Sequence, residues 1–174
     1  MSVHAPSALS LLAAVWVHAL PGKVSAFEPL PSPTGEVILH VSGRIGVTND
    51  AGAARFDLDM LQGLGAVSVS TSTPWTSGVI RFTGVPLSRV LDRVGAQGDT
   101  VVAIALNDYQ ATIPRSDAVE GGPILAFARD DVEMTVRDMG PLWVVYPYDA
   151  DPAWQTAVIH GRSVWQLNRL DIRP

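Results

Sequence analysis

Short extended segments separated by glycine, proline and aspartate clusters dominate this chain, so strands must provide most of its fold. "AVSVSTST" alternates apolar and polar residues, which predicts a strand with one buried face. "TVVAIALND" and "PLWVVYPYD" are nearly continuous apolar runs, which predict buried strands. Other predicted extended segments are "EVILHVSGRIGV", "VIRFTG", "YQATIP", "SVWQLNRLDI" and a hairpin in "ILAFARDDVEMTVRD" that turns near Asp130-Asp131.

Helical signals are few and short. "FDLDMLQGLG" predicts a helix with Asp57 as N-cap and a glycine stop, and "VPLSRVLDRVG" predicts a helix with Pro86 in its first turn. "RSDAVEGG" predicts a helical turn capped by Ser116. Many strands with a few short helices predict an α+β fold with a mixed sheet, and 174 residues suit one domain.

Composition excludes several classes of function. The formal charge is −5 and no basic run occurs, which argues against a nucleic-acid partner. The chain contains no cysteine, which excludes disulfides, thiolate nucleophiles and cysteine-bound metals.

The N-terminal stretch has the pattern of an export signal. "ALSLLAAVWVHAL" is apolar and short, and Val24-Ser25-Ala26 offers a small-residue cleavage site before Phe27. We therefore expect a signal peptide over residues 1–26, a single domain over 27–174 and a periplasmic location. A buried N-terminal helix or a retained membrane anchor is the alternative.

Familiar catalytic patterns are missing. His40 alternates with apolar residues in a predicted strand, and His160 falls in "VIHGRS", which we predict to be a loop. Asp130, Asp131 and Glu133 are expected at a solvated hairpin tip, so no metal site is predicted. The sequence also has no GxSxG turn and no glycine-rich phosphate loop.

Aromatic and polar residues gather where predicted strands end. Each has a structural explanation alone: Trp75 can close a core edge, and Arg137 can pair with Asp138 or Asp108. If the strand ends converge, however, the set offers flat faces with in-plane donors and acceptors, which suits a flat, nitrogen-rich heterocycle. The candidate ligand-binding residues are Trp75, Asn107, Asp108, Tyr109, Arg137, Trp143 and Tyr146.

Four segments resemble, in order, the oxidoreductase molybdopterin-binding domain of the sulfite oxidase family. They are "TSTPWTSGVIRFTGVPLSRVL", "VVAIALNDYQATIP", "VRDMGPLWVVYP" and "VWQLNRLDI". The resemblance runs from about Val37 to Ile172 and implies a mixed-sheet α+β domain that grips a pterin cofactor. In catalytic members, a cysteine upstream of the W…GxPL segment ligates molybdenum. That position falls at Thr71 or Ser72 here, and a hydroxyl is a much harder ligand than a thiolate.

The chain is most similar to small exported members that lack this cysteine. The resemblance implies binding of a reduced pterin of the tetrahydropterin type, without metal or catalysis. It also implies relay of that signal to the periplasmic domain of an inner-membrane GGDEF/EAL protein, a cyclic-di-GMP enzyme. Trp75 with Tyr109 or Tyr146 would stack on the ring, and Asp108 would pair with its 2-amino and N3 edge. Asn107 and Arg137 would serve the carbonyl and side-chain hydroxyls. The alternatives are a molybdopterin-dependent periplasmic oxidoreductase and an interaction domain without a ligand.

Overall fold

The computed structural model describes Met1 and residues 28–174, so the signal-peptide prediction lies outside the described residues. Ten strands and three short helices form in the described part of the chain, which confirms the α+β prediction. The strands are β1 (Leu39–Gly43), β2 (Ala54–Phe56), β3 (Val67–Ser72), β4 (Val79–Pro86), β5 (Thr100–Ala105), β6 (Gln110–Pro114), β7 (Ile124–Arg129), β8 (Val132–Glu133), β9 (Trp143–Val145) and β10 (Leu167–Arg173). The helices are α1 (Leu58–Gly63), α2 (Leu87–Arg93) and α3 (Ala157–Arg162).

The strands form two five-stranded sheets. The first has the order β2-β1-β10-β5-β6, in which only the β1–β10 pair is parallel. The second has the order β3-β4-β7-β8, and β9 also pairs with β7. The predicted hairpin in residues 124–138 is confirmed, with Asp130 and Asp131 both at positive φ between β7 and β8. No helix in the described residues is long and apolar enough to cross a membrane.

Local signals explain the two predicted helices. The Asp57 side chain accepts a hydrogen bond from the Met60 amide, so it caps α1 as predicted. Pro86 precedes α2, whose buried residues Leu87, Val90 and Leu91 lie on one face. Gly84, two residues before Pro86 in β4, pairs with Ala126 of β7. A Cβ there would lie 2.3 Å from the Leu125 carbonyl oxygen, so the position requires glycine.

Two local predictions were wrong. The turn at Arg115–Asp117 has Pro114 in its cap position and no side-chain capping bond, so Ser116 is not a cap. His160 lies in α3 rather than in a loop. The Thr156 side chain accepts a hydrogen bond from the Ile159 amide and thereby starts that helix. The apolar core contains residues of both sheets, among them every residue of β9.

Candidate functional site

The candidate site lies where loops from both sheets meet α3. After β3, the Thr73 side chain accepts a hydrogen bond from the Trp75 amide at 3.1 Å and bonds the Thr76 hydroxyl at 2.8 Å. This local turn fixes the position at which the Trp75 ring leaves the strand. After β5, the Asn107 side chain accepts from the Tyr109 amide at 3.1 Å, and the Tyr109 hydroxyl donates to the Gly161 carbonyl of α3 at 3.1 Å.

These elements enclose a cavity of about 360 Å³, which we call the aromatic pocket. This volume lies within the range of small-molecule sites, roughly 300–1,000 Å³. Its lining residues are Trp75, Ala105, Asn107, Tyr109, His160, Gly161, Ser163 and Trp165. The aromatic side chains of Trp75, Tyr109 and Trp165 come from three separate segments of the chain. The pocket therefore presents several flat apolar surfaces, and it has few polar groups.

Trp75 is the centre of the aromatic cluster. Its ring meets the rings of Trp165 at 5.4 Å, Trp143 at 5.8 Å, His160 at 5.8 Å and Tyr148 at 6.5 Å between centroids. All four contacts are edge-to-face, a favoured geometry for aromatic pairs. Trp75 is therefore held from several sides while still bordering the cavity.

A second cavity of about 430 Å³, which we call the polar pocket, borders the first at His160. It is lined by Ser72, Thr73, Pro74, Tyr148, Asp149, Gln155 and His160. A serine, a histidine and an aspartate thus share one cavity. However, the Ser72 hydroxyl donates directly to Asp149 at 2.6 Å, and the structure has no hydrogen bond between Ser72 and His160. The described geometry is therefore not that of a serine hydrolase, in which histidine stands between the two.

Thr71 and Ser72, where the resemblance implies a metal-ligand cysteine, belong to an internal hydrogen-bond network. Ser72 donates its amide to Asp149 Oδ2 at 2.6 Å and its hydroxyl to Asp149 Oδ1 at 2.6 Å. Thr71 is fully buried and accepts from the Asp149 amide at 3.1 Å. Its own hydroxyl donates to the Ser72 carbonyl at 3.2 Å. These bonds, above all those from Ser72, hold the pKa of Asp149 below its ordinary value.

These residues do not fit a molybdenum cofactor. Both hydroxyls at the anchor position are engaged in protein hydrogen bonds, and a carboxylate lies beside them where a thiolate would be needed. Among the described residues, no arginine or lysine lines either pocket to receive the phosphate of a pyranopterin. No group of three potential metal-ligating side chains occurs among the described residues.

Further hydrogen bonds fix α3, and with it His160. Asp117 Oδ2 accepts from Arg162 of α3 at 2.8 Å and from the Tyr146 hydroxyl at 2.8 Å. The Tyr148 hydroxyl donates to Ser163 at 2.6 Å, and burial raises the pKa of Tyr148 to about 12. Burial and the neighbouring Asp117 carboxylate raise the pKa of Tyr146 even further. Both tyrosines are therefore neutral structural donors at physiological pH.

The predicted site residues separate into two groups. Trp75, Asn107 and Tyr109 line the aromatic pocket together. Asp108 has a positive φ, is exposed, pairs with Arg169 and does not line either pocket. Arg137 is exposed on the turn Val136–Asp138 and lines neither pocket.

The proposed stacking role of Tyr146 needs correction, as does the placement of Trp143 in the site. Both side chains are fully buried, and neither lines the aromatic pocket or the polar pocket. Tyr146 supports Asp117, and Trp143 packs under Trp75 and against Phe82. They act beneath the site because β9, which contains Trp143 and is followed directly by Tyr146, is buried along its whole length.

Sequence reasoning missed His160, Ser163, Trp165 and Asp149 as site residues. The signal for the first three was Thr156, an N-cap residue before "AVIHGR" that predicts the start of a helix there. Asp149 was detectable only as the first acidic residue after the run "PLWVVYPY".

Comparison with known proteins identifies the family. Residues 54–152 match the oxidoreductase molybdopterin binding domain. The chain belongs to that family. Its fold is also similar to the sulfane dehydrogenase SoxCD from Paracoccus pantotrophus, with a TM-score of 0.58 and 17% identity. That match covers 78% of this chain but only 37% of the SoxCD chain. No curated protein sequence matches this chain.

Proposed function

We propose that this domain binds a pterin as a free, metal-free ligand in the aromatic pocket. The observation that carries the proposal is the combination of a pterin-cofactor family fold with an anchor position closed by the Ser72–Asp149 hydrogen bonds. A domain of this family that has no soft ligand for molybdenum still has the surfaces on which a bicyclic ring can stack.

The exposed rim of the pocket supports recognition of the bound ligand by another protein. Tyr109 is 52% exposed and Trp165 is 37% exposed, and both line the aromatic pocket. Aromatic residues with an apolar body and a polar tip are common at protein interfaces. We therefore propose that the exported protein presents its reduced pterin to the periplasmic domain of an inner-membrane GGDEF/EAL protein. Support for export comes from the N-terminal apolar segment, and support for the partner comes from the family resemblance.

A molybdopterin-dependent oxidoreductase is the second candidate, and family membership favours it. The two candidates make opposite predictions about metal content. Protein produced in a host that makes the molybdenum cofactor should contain no stoichiometric molybdenum by elemental analysis. Stoichiometric molybdenum would refute the metal-free proposal.

The binding test is titration of the purified protein with a tetrahydropterin under anaerobic conditions, followed by calorimetry. Trp75→Ala should weaken binding by about 10- to 100-fold, because stacking of a base on an aromatic side chain is worth roughly 1–3 kcal/mol. Since Trp75 also packs on Trp143, the more exposed Trp165→Ala is the second variant. Trp154→Phe, which lies outside both pockets, is the matched control. Absence of binding by the unaltered protein, or equal binding by all variants, would refute the proposal.

A further inference from the structure

One carboxylate stands out among the residues that line the two pockets. Among the residues that the structure describes, Asp149 is the only acidic one lining either of them. Its pocket borders the aromatic pocket at His160, which lines both. The centroid of the His160 ring lies 5.8 Å from that of Trp75 and 5.5 Å from that of Tyr148. A flat ligand stacked on Trp75 therefore has one acidic group within the adjoining cavity.

The geometry of Asp149 is fixed by its own strand-end partners. One oxygen accepts from the Ser72 amide and the other from the Ser72 hydroxyl, each at 2.6 Å. The Asp149 amide is held in turn by Thr71. An ionised carboxylate offers about four acceptor positions. Each oxygen of Asp149 therefore retains one acceptor position in a side chain that is already oriented, which lowers the entropic cost of binding.

We infer that Asp149 recognises the donor edge of the ligand, accepting a hydrogen bond from the 2-amino group of a 2-amino-4-oxo ring. The inference rests on the proposed function, because it assumes a pterin in the aromatic pocket. Ser72 takes one acceptor position on each oxygen, so one outer position of the carboxylate meets the 2-amino donor. Hydrogen bonds to an ionised acceptor are the strong ones. The ring stacks on Trp75 in the aromatic pocket. Its donor edge extends past His160 into the polar pocket.

Asp149 replaces Asp108 in this role. Asp108 is paired with Arg169 and lines neither pocket. Asp149 is paired with neutral donors only, so its charge is not compensated by a neighbouring cation in the described hydrogen-bond network. An uncompensated carboxylate favours a ligand edge that is rich in donors.

The inference predicts a specific selectivity. A 2,4-dioxo ring has a carbonyl oxygen where the pterin has its amino group, so an acceptor would face the Asp149 carboxylate. Sites built around a ligand's hydrogen-bonding groups reject analogues that lack them, because polar groups are left unpaired. The protein should thus distinguish pterins from lumazines of identical shape.

The experiment compares 6-methyl-tetrahydropterin with 6-methyl-tetrahydrolumazine in anaerobic calorimetry. The unaltered protein should bind the pterin at least about tenfold more tightly. Asp149→Asn should weaken pterin binding by about 10- to 150-fold, the range expected for hydrogen bonds to a charged group, and should abolish the discrimination. Asp108→Asn is the matched control and should retain both affinity and discrimination. Thermal denaturation of each variant checks that the fold is intact.

The outcomes separate the two hypotheses. If the unaltered protein binds neither compound, the proposed function fails. If it binds the pterin but Asp149→Asn binds equally well with unchanged discrimination, the proposed function stands and the role of Asp149 is refuted. If Asp108→Asn alone lost the discrimination between the pterin and the lumazine, Asp108 rather than Asp149 would recognise the donor edge.

Discussion

Asp117 connects the core to the candidate site, so its substitution should affect stability and binding together. Its side chain is 11% exposed, and two donors converge on the same oxygen: the Tyr146 hydroxyl and the Arg162 guanidinium, each at 2.8 Å. Asp117→Ala removes the acceptor of both donors at once. Tyr146 is then a fully buried hydroxyl without its partner, and the end of α3 loses its anchor.

The magnitude follows from these two bonds. A buried hydroxyl that loses its acceptor costs about 1–3 kcal/mol, and breaking a buried ion pair costs about 3–5 kcal/mol. The Arg162 side chain is 24% exposed and can turn toward water, so the ion-pair cost should be below that range. We expect a loss of about 3 kcal/mol in the free energy of unfolding. For a chain of this size, that corresponds to a fall in Tm of roughly 10 °C.

Urea denaturation followed by tryptophan fluorescence measures this loss directly. Asp117→Asn should give an intermediate loss, because its amide oxygen can accept from both donors but carries no charge. The control is Asp131→Asn, which removes an exposed ion pair with Arg81 and should cost about 0–1 kcal/mol. An Asp117→Ala loss no larger than that of the control would show that the network does not hold α3.

Two further predictions concern the supports of the fold. Asp57 is 2% exposed, and the amides of Gly35, Met60 and Thr34 donate to it and lower its pKa. Asp57→Ala should therefore cost about 3 kcal/mol in chemical denaturation. Because the folded pKa of Asp57 lies below the unfolded one, its stabilisation is fully present above the unfolded pKa near 3.8. The stabilisation is lost as the pH falls through the folded pKa. The Asp57→Ala variant should lack this pH dependence. Gly84→Ala should cost about 1–3 kcal/mol, since its Cβ would overlap the Leu125 carbonyl; an unchanged Tm would show that β4 and β7 separate freely.

Elements with a strong local signal were predictable from the sequence. The alternation in "AVSVSTST", the Asp57 cap and the apolar run before Asn107 each depend on neighbouring residues, and β3, α1 and β5 lie where these signals indicate. The family fold was also predictable, because the ordered motifs span most of the chain.

The composition of the site was predictable only in part, because it depends on contacts between distant residues. Asp149 and Ser72 are 77 residues apart, and nothing in either local sequence indicates their hydrogen bonds. Tyr146 and Tyr148 are close in sequence, yet the first supports Asp117 and the second lines the polar pocket. Proximity to a strand end therefore identified the region of the site but did not distinguish lining residues from supporting ones.

A hydroxyl at the position where the family resemblance implies a cysteine changes what that position can bind. A thiolate is an anion and binds a metal cation, whereas Ser72 presents an N–H and an O–H donor at the end of β3. Those donors attract a carboxylate, and Asp149 occupies the position that they favour. The carboxylate in turn requires donors from a ligand, because its remaining acceptor positions lie in a cavity that no arginine or lysine of the described residues lines. The hydrogen-bond chemistry at this strand end therefore favours an organic donor over a metal, while the aromatic pocket beside it still offers surfaces for the ring.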